Sequence, residues 1–301
     1  MNHLQLPKLL AVVSLLLGVA ITVAACGKKQ VFKKEGSPSF GQAGKKKGVC
    51  LKVVNGILAA NIPAVVQLRS KTSSCTGTFL GDNVVLTAAH CMDASPTGGM
   101  GLSDGTMPVA MVHGGVVDTQ ATTNTSPLKD VALLIFVSPK SKVWRKIASN
   151  PPKQGDALIV AGYGQTDFVN DNDSDGRVRY GYNTVDAISP ANATLKYESP
   201  KTTDNLGKGV QSMSGRGDSG GPIISGDGIV AITSHGSDDD QNLYETDFYL
   251  FSEPGLKAME DAEAKGAHIN GVNGIRKALE RPLKPGAPDS DTSTVDDSTS
   301  C

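Results

Sequence analysis

From Ala64 to Thr233 the apolar pattern comes only in short runs, each closed by Gly, Asn, Asp or Pro: Ala64 to Leu68, Val84 to Thr87, Val131 to Val137, Ala157 to Ala161, Arg177 to Val185 and Ile229 to Thr233. Runs of this length suit strands and are too short for a packed helix, so the central body is predicted to consist of many short strands. A helical period shows only late in the chain. Leu256, Met259 and Ala262 mark one stripe between Pro254 and Lys265, and Val272, Ile275, Ala278 and Leu279 mark another between Val272 and Glu280, with Gly266, Gly271 and Gly274 blurring the boundaries. Strands first and helices last predict an antiparallel barrel or sandwich. At 301 residues there is enough chain for one large domain or two ordinary ones, and no internal repeat divides it.

The two ends stand apart from this body. Lys8 precedes an apolar run from Leu9 to Ala25, so residues 1–25 are expected to be an export signal. The run closes in Val23-Ala24-Ala25-Cys26, which resembles a bacterial lipobox and implies lipidation at Cys26. Residues 26–52 carry Lys28, Lys29, Lys33, Lys34 and Lys45 to Lys47 among Gly, Ser and Pro and read as a solvated tether, with attraction to anionic headgroups open. Residues 282–301, with Asp289, Asp291, Asp296 and Asp297 among Ser, Thr and Pro, read as an acidic tail without structure of its own. With 29 basic against 30 acidic residues, nothing favours nucleic acid as a partner. Export places the cysteines in an oxidising compartment where they can pair.

Three short segments carry the chemistry: Leu86-Thr87-Ala88-Ala89-His90-Cys91, Lys129-Asp130-Val131-Ala132-Leu133-Leu134, and Gly217-Asp218-Ser219-Gly220-Gly221-Pro222. A lone histidine is usually structural; a base, a carboxylate and a glycine-flanked serine in this order are the parts acyl transfer requires. The order and flanks resemble the chymotrypsin-like (trypsin-type) serine proteases, and the resemblance extends over roughly Val53 to His268, taking in Gly162-Tyr163-Gly164. It implies two six-stranded antiparallel β-barrels with a C-terminal helix. Ser219 would be the nucleophile, His90 the general base and then acid, and Asp130 the carboxylate that fixes the imidazole tautomer. The N–H groups of Gly217 and Ser219 would face the oxyanion.

The resemblance reaches further residues. Cys75 and Cys91 stand where the family joins two cysteines. Lys52-Val53-Val54-Asn55-Gly56 resembles the family's activation site, with the freed Val53 ammonium expected to pair with Asp218 and lock the turn. Met213 occupies the position at which trypsin-like members carry an Asp, so substrate selection is expected to involve Met213, Ser234, Gly236 and, on the pocket wall, Asp247, where a carboxylate would accept Lys or Arg; a solvated loop acid is the competing reading of Asp247. Cys50 and Cys301 remain once Cys75 and Cys91 pair; a bridge between them would keep a cut chain tethered, and its absence would release the catalytic part. Asp171-Asn172-Asp173-Ser174-Asp175-Gly176 opens like a calcium loop, but its twelfth position is Tyr182 and not Glu, so a solvated acidic loop is expected and no metal.

The expectation is therefore a serine endopeptidase of the cell envelope, lipid-anchored on the outer face or the periplasmic side. Its protease domain would span residues 53–281, acting as a monomer on polypeptides without a cofactor. Two alternatives stand beside it. An inactive protease-like binding or adhesion module would have lost part of the machinery, whereas His90, Asp130, Ser219 and Gly217 are all present. An esterase fits Gly217-Asp218-Ser219-Gly220-Gly221 formally, but the order His, Asp, Ser is not that of the α/β-hydrolases.

Overall fold

A computed structural model of the chain describes residues 53, 56–93, 99–113, 129–165, 175–200, 211–238 and 242–281. All of them belong to one compact unit, Gly48–Cys301. The expected signal, the tether with Cys26, Cys50 and Lys52, most of the acidic loop at 171–174 and the tail with Cys301 lie outside the described residues.

The short runs become strands in chain order: β1 (Ile57–Leu58), β2 (Val65–Arg69), β3 (Ser74–Phe79), β4 (Val84–Thr87), β5 (Gly101–Leu102), β6 (Ala110–His113), β7 (Ala132–Ile135), β8 (Ala157–Gly162), β9 (Arg179–Thr184), β10 (Ala187–Ser189), β11 (Thr194–Pro200), β12 (Pro222–Ser225), β13 (Gly228–Asp238) and β14 (Asn242–Tyr249). They form two antiparallel sheets. The first has six strands in the order β5-β2-β3-β4-β7-β6; the second has eight, in the order β1-β9-β8-β12-β13-β14-β11-β10. The second sheet exceeds the expected six because the two-residue β1 and three-residue β10 extend its edges.

The middle strands explain why the sheets fold. Every residue of β4, β7 and β12 is buried, and apart from Thr87 and Ser225 at their ends these runs are apolar without alternation, as strands covered on both faces require. Strand β14 alternates instead and turns Leu243, Glu245 and Asp247 inward.

Both late stripes are helices. Helix α1 (His90–Asp93) is a single turn after β4; α2 runs Glu253–Ala264 and α3 Val272–Leu279. The Ser252 hydroxyl caps α2 by accepting from the Gly255 N–H, and Pro254 occupies the first turn, where its missing N–H costs nothing. Met259 and Ala262 of the predicted stripe are buried, joined by Ala258, while Leu256 is half-buried; in α3 Val272 and Ile275 are buried and Ala278 and Leu279 half-buried. Removing side chains of this size from water contributes about 1.5–3 kcal/mol for each large one, far more than the exposed pairs of Arg276 with Glu260 and Glu263.

Candidate active site

The register of one strand pair brings the first two functional side chains together. Strands β4 and β7 run antiparallel with Val84 opposite Ile135 and Thr87 opposite Ala132, so the end of β4 meets the start of β7. His90 lies just past the one and Asp130 just before the other. His90 Nδ1 is 2.8 Å from Asp130 Oδ2, and the His90 backbone N–H donates to Asp130 Oδ1 at 2.9 Å. A carboxylate only accepts, so this pairing puts the imidazole proton on Nδ1 and leaves Nε2 as the basic nitrogen. The Cys75–Cys91 disulfide ties the residue after His90 to β3, across a sequence separation of 16. Both sulfurs are thereby used, so Cys75, His90 and Cys91, although close together, offer no thiolate to a metal.

Ser219 sits beside α1. Its carbonyl accepts the Thr76 N–H at 2.9 Å and lies 3.7 Å from Cys91 Sγ, while the hydroxyl-bearing residue itself is half-buried. The turn that presents it is held at several points. Gly217 has φ +94°, a left-handed conformation that side-chain-bearing residues avoid, and its carbonyl accepts from Thr76 Oγ1 at 2.8 Å. Asp218 is wholly buried, with Oδ1 accepting from Gly164 N–H at 2.7 Å and Oδ2 from Gly215 N–H at 2.9 Å. A Cβ at Gly164 would fall 2.5 Å from the Asp218 carboxyl carbon, which accounts for the Gly162-Tyr163-Gly164 segment: the glycine makes room for a buried carboxylate. Val53, the other partner expected at Asp218, is buried in the core with φ +46°.

Ser234 joins the two sheets. Gly220 N–H donates to the Thr233 carbonyl and Thr233 N–H to Gly221, so Ser234 stands level with the serine turn. Its hydroxyl donates to Asp130 Oδ2 at 2.5 Å, and its backbone N–H donates to Asp247 Oδ1 at 2.9 Å. Burial alone would raise the Asp130 carboxyl, but the hydrogen bonds and charge of His90 and the Ser234 hydroxyl outweigh it and hold Asp130 below the ordinary carboxylate range.

Asp247 is not the solvated loop acid of the competing reading. It is fully buried behind Ser234, and its other oxygen has no hydrogen-bond partner; the buried Tyr197 hydroxyl lies beside it without hydrogen-bond geometry. The residue beneath Gly236 is Glu245. A bulge between Ile232 and His235 shifts the register of β13 on β14, so that Gly236 opposes Glu245, and a count along the sequence does not see that shift. Glu245 Oε1 accepts the N–H of Ser214 at 3.1 Å and also its hydroxyl, whereas Oε2 has no partner. Met213 is buried against Asn183, whose Nδ2 approaches its sulfur at 3.7 Å. Burial, reinforced by Asp247, pushes Glu245 well above its usual range, and burial pushes Asp247 up to about 8. Among the described residues no Lys or Arg pairs with either acid.

The trypsin family model matches residues 55–252, the stretch that holds His90, Asp130, Ser219, Ser234, Glu245 and Asp247. The chain belongs to the trypsin family. Trypsin delta of Drosophila erecta is 27% identical over 180 residues, covering 56% of this chain and 70% of that one, and a trypsin of Sarcophaga bullata is 26% identical over 203 residues, covering 62% and 79%. The solved structure of neuropsin, a serine protease of mouse brain, superposes with a TM-score of 0.51 at 17% identity over 71% of this chain and 100% of that one, a likeness of fold. This trypsin-family chain adds two groups that the sequence reading did not single out. Thr76 binds both the carbonyl of Ser219 and that of Gly217 and accepts from Tyr163 N–H at 3.0 Å; its partners are far away in sequence, so no local signal marks it. Glu245 shares the parity of Asp247 along β14, and that alternation was the available signal. Asp175, the last carboxylate of the acidic loop, pairs with Arg179 at 3.2 Å.

Proposed function

We propose that this trypsin-family chain is a serine endopeptidase that cleaves polypeptides through an acyl-enzyme on Ser219. His90 Nε2 takes the Ser219 hydroxyl proton as Oγ bonds to the substrate carbonyl carbon, and the N–H groups of Gly217 and Ser219 receive the oxyanion. The imidazolium then returns its proton to the departing amine as the C–N bond breaks. Water, deprotonated in turn by His90, releases the acid and restores Ser219. The observation that carries this reading is the three-donor array on Asp130: with Nδ1–H, the His90 N–H and the Ser234 hydroxyl all directed at it, the carboxylate is held in its ionised form though only 4% exposed, fixing the tautomer in which Nε2 is the unprotonated, basic nitrogen.

Activation by a cut between Lys52 and Val53 belongs to the same reading. A β-branched residue at φ +46° is strained, by about 1–3 kcal/mol for such positions, and a cut removes the preceding carbonyl that defines that torsion. The freed ammonium would then serve Asp218, whose burial makes a cation valuable. Export by residues 1–25 and lipid attachment at Cys26 place the enzyme at the cell envelope, with the protease domain at residues 53–281.

A serine-directed phosphonate tests the central claim. The full chain cut after Lys52 should be labelled at Ser219 and should hydrolyse casein, and the Ser219→Ala variant should do neither. Undiminished hydrolysis by that variant would sink the proposal.

A further inference from the structure

Between β7 and β8, residues 137–146 run Val-Ser-Pro-Lys-Ser-Lys-Val-Trp-Arg-Lys, four cations and no acid in a protein whose charges otherwise balance at 29 against 30. The loop is pinned to the first sheet's connections. The Lys140 and Ser141 N–H groups both donate to the Asp82 carbonyl, Val143 N–H donates to Ser141 Oγ, and Arg145 N–H donates to the Phe79 carbonyl. Held at these points, it still leaves Val137 80%, Val143 50% and Trp144 42% exposed. Isolated apolar side chains on a surface need no explanation, but these are three of the eight large apolar residues exposed among the described ones, and they fall within eight positions. Val109, also exposed, stands beside the start of the loop, with its N–H on the Ile135 carbonyl. The acids next to Trp144 are already matched, Asp82 with His268 at 2.8 Å and Glu263 with Arg276 at 3.4 Å. Of the cations, Lys146 is taken up by Asp227, whereas Lys140 and Lys142 form no ion pair among the described residues; Asp104, within reach of the Lys140 charge, does not pair with it.

We propose that residues 137–146 are a contact surface for an anionic phospholipid bilayer, with Val143 and Trp144 entering the boundary between headgroups and acyl chains and Lys140 and Lys142 lying among the phosphates. Two observations select this occupant. An indole beside a valine, flanked by ammonium groups on long apolar stems, matches the layered polarity of that boundary: ring and stems take the apolar side, the indole N–H and the ammonium groups the wet one. A dry protein interface would instead have to desolvate two unpaired lysines. The second observation is covalent reach, and here the inference rests on lipid attachment at Cys26. Only 26 residues lie between Cys26 and Val53. They span at most about 95 Å however they are arranged, so before any cut after Lys52 the domain stays close to the membrane, and even a weak surface is engaged through effective concentration. Each cation near an anionic leaflet strengthens binding about five-fold.

Trp144 is the only tryptophan of the chain, so its emission reports this surface alone. The test uses the chain from residue 26 onward, kept free of lipid by Cys26→Ser and of self-digestion by Ser219→Ala. It is mixed with vesicles of phosphatidylcholine, of an equal mixture with phosphatidylglycerol, and of that mixture with brominated acyl chains. The mixed vesicles should move the emission to the blue and the brominated ones should quench it, while phosphatidylcholine alone does neither. Lys140→Gln together with Lys142→Gln should weaken the response by about 25-fold, and Val143→Ser should weaken it without changing its dependence on salt. Sedimentation with the mixed vesicles while Trp144 is neither shifted nor quenched would assign the binding to the lysines of residues 26–52 and overturn the proposal. Emission already blue without vesicles overturns it too: a return to the red on adding salt assigns the surface to the acidic residues 282–301, and a return on dilution assigns it to a second copy. The mass of Cys26 in the full chain, made with residues 1–25 in a bacterial host, separates the two readings. An unmodified Cys26 sinks the anchor, whereas the vesicle result stands or falls by itself.

Discussion

Asp247→Asn should make the protein markedly more stable at pH 8 and leave it almost unchanged at pH 4.5. Unfolded, the Asp247 carboxyl titrates near 3.8; folded, burial displaces it to about 8. Between these values the native state holds a proton that the unfolded state has released, so stability falls as pH climbs through the window and levels off once the native carboxyl ionises. A displacement of about four pH units at about 1.4 kcal/mol each sets a ceiling of about 6 kcal/mol for this one group. The Ser234 N–H and any rearrangement around the ionised form reduce it, so about 2–4 kcal/mol is the expected difference at pH 8, a large share of the roughly 5–15 kcal/mol that holds a domain together. Asparagine keeps the oxygen that accepts from Ser234, and its amide can donate toward Tyr197, so the replacement creates no new orphan. The assay is urea unfolding of the full chain at half-unit steps from pH 4.5 to 8, in a Ser219→Ala background that cannot digest itself. Glu245 titrates in both proteins, so the difference between the two curves isolates Asp247 as far as their coupling permits. Parallel curves, with the variant no better at pH 8 than at pH 4.5, would refute the claim that Asp247 is held protonated by burial.

Asp130→Asn should lower kcat/KM by about 10⁴-fold by presenting a donor to Nδ1 and so reversing the imidazole tautomer; steady-state hydrolysis of a chromogenic peptide reads it. Ser234→Ala removes one donor from Asp130, so the Asp130 carboxyl should titrate higher, as carboxylate NMR would record, and the stability contributed by its depressed pKa, present above the unfolded value and lost as pH falls through the folded one, should shrink. Replacing Cys75 and Cys91 together by Ala should cost about 3 kcal/mol in urea unfolding, the chain-entropy value for a loop of this length, with no effect of reductant remaining. Gly164→Ala should cost several kcal/mol and loosen the serine turn, because its methyl and the Asp218 carboxyl claim the same space; phosphonate labelling of Ser219 would slow with it.

What the residues declared in advance was whatever a local chemical demand dictates. The runs Val84 to Thr87 and Ala132 to Ile135 are central strands because they are apolar apart from Thr87, whose hydroxyl is satisfied by the Thr76 carbonyl, and the 3.6-residue stripes after Pro254 are helices for the same reason of burial. That His90 and Asp130 meet was legible from the order of their segments, whose apolar flanks become the paired strands β4 and β7. The inward acids were only half legible. An acid in a strand is ordinarily a solvent-facing residue, and in Asn242 to Tyr249 the consecutive polar residues Glu245, Thr246 and Asp247 do not reveal which of them face inward. The bulge after Ile232 then defeats counting, since the one-residue shift puts Glu245 opposite Gly236 where an unbroken register would put Tyr244. Thr76 was illegible outright, for its partners stand 141 and 87 positions away and only the closed fold makes them neighbours.

Ser234 separates two aspartates whose charge states the surroundings drive in opposite directions. Asp130 and Asp247 are both buried, and burial raises both; the difference lies in the donors each receives. Asp130 collects two from His90 and one from the Ser234 hydroxyl, enough to keep the anion, whereas Asp247 has the Ser234 N–H and an oxygen left without a partner. Two anions bridged by one serine would repel, and that repulsion is itself part of what raises Asp247. A protonated Asp247 therefore leaves Asp130 as the charged one of the two aspartates that Ser234 contacts, and that charge lies against His90 Nδ1.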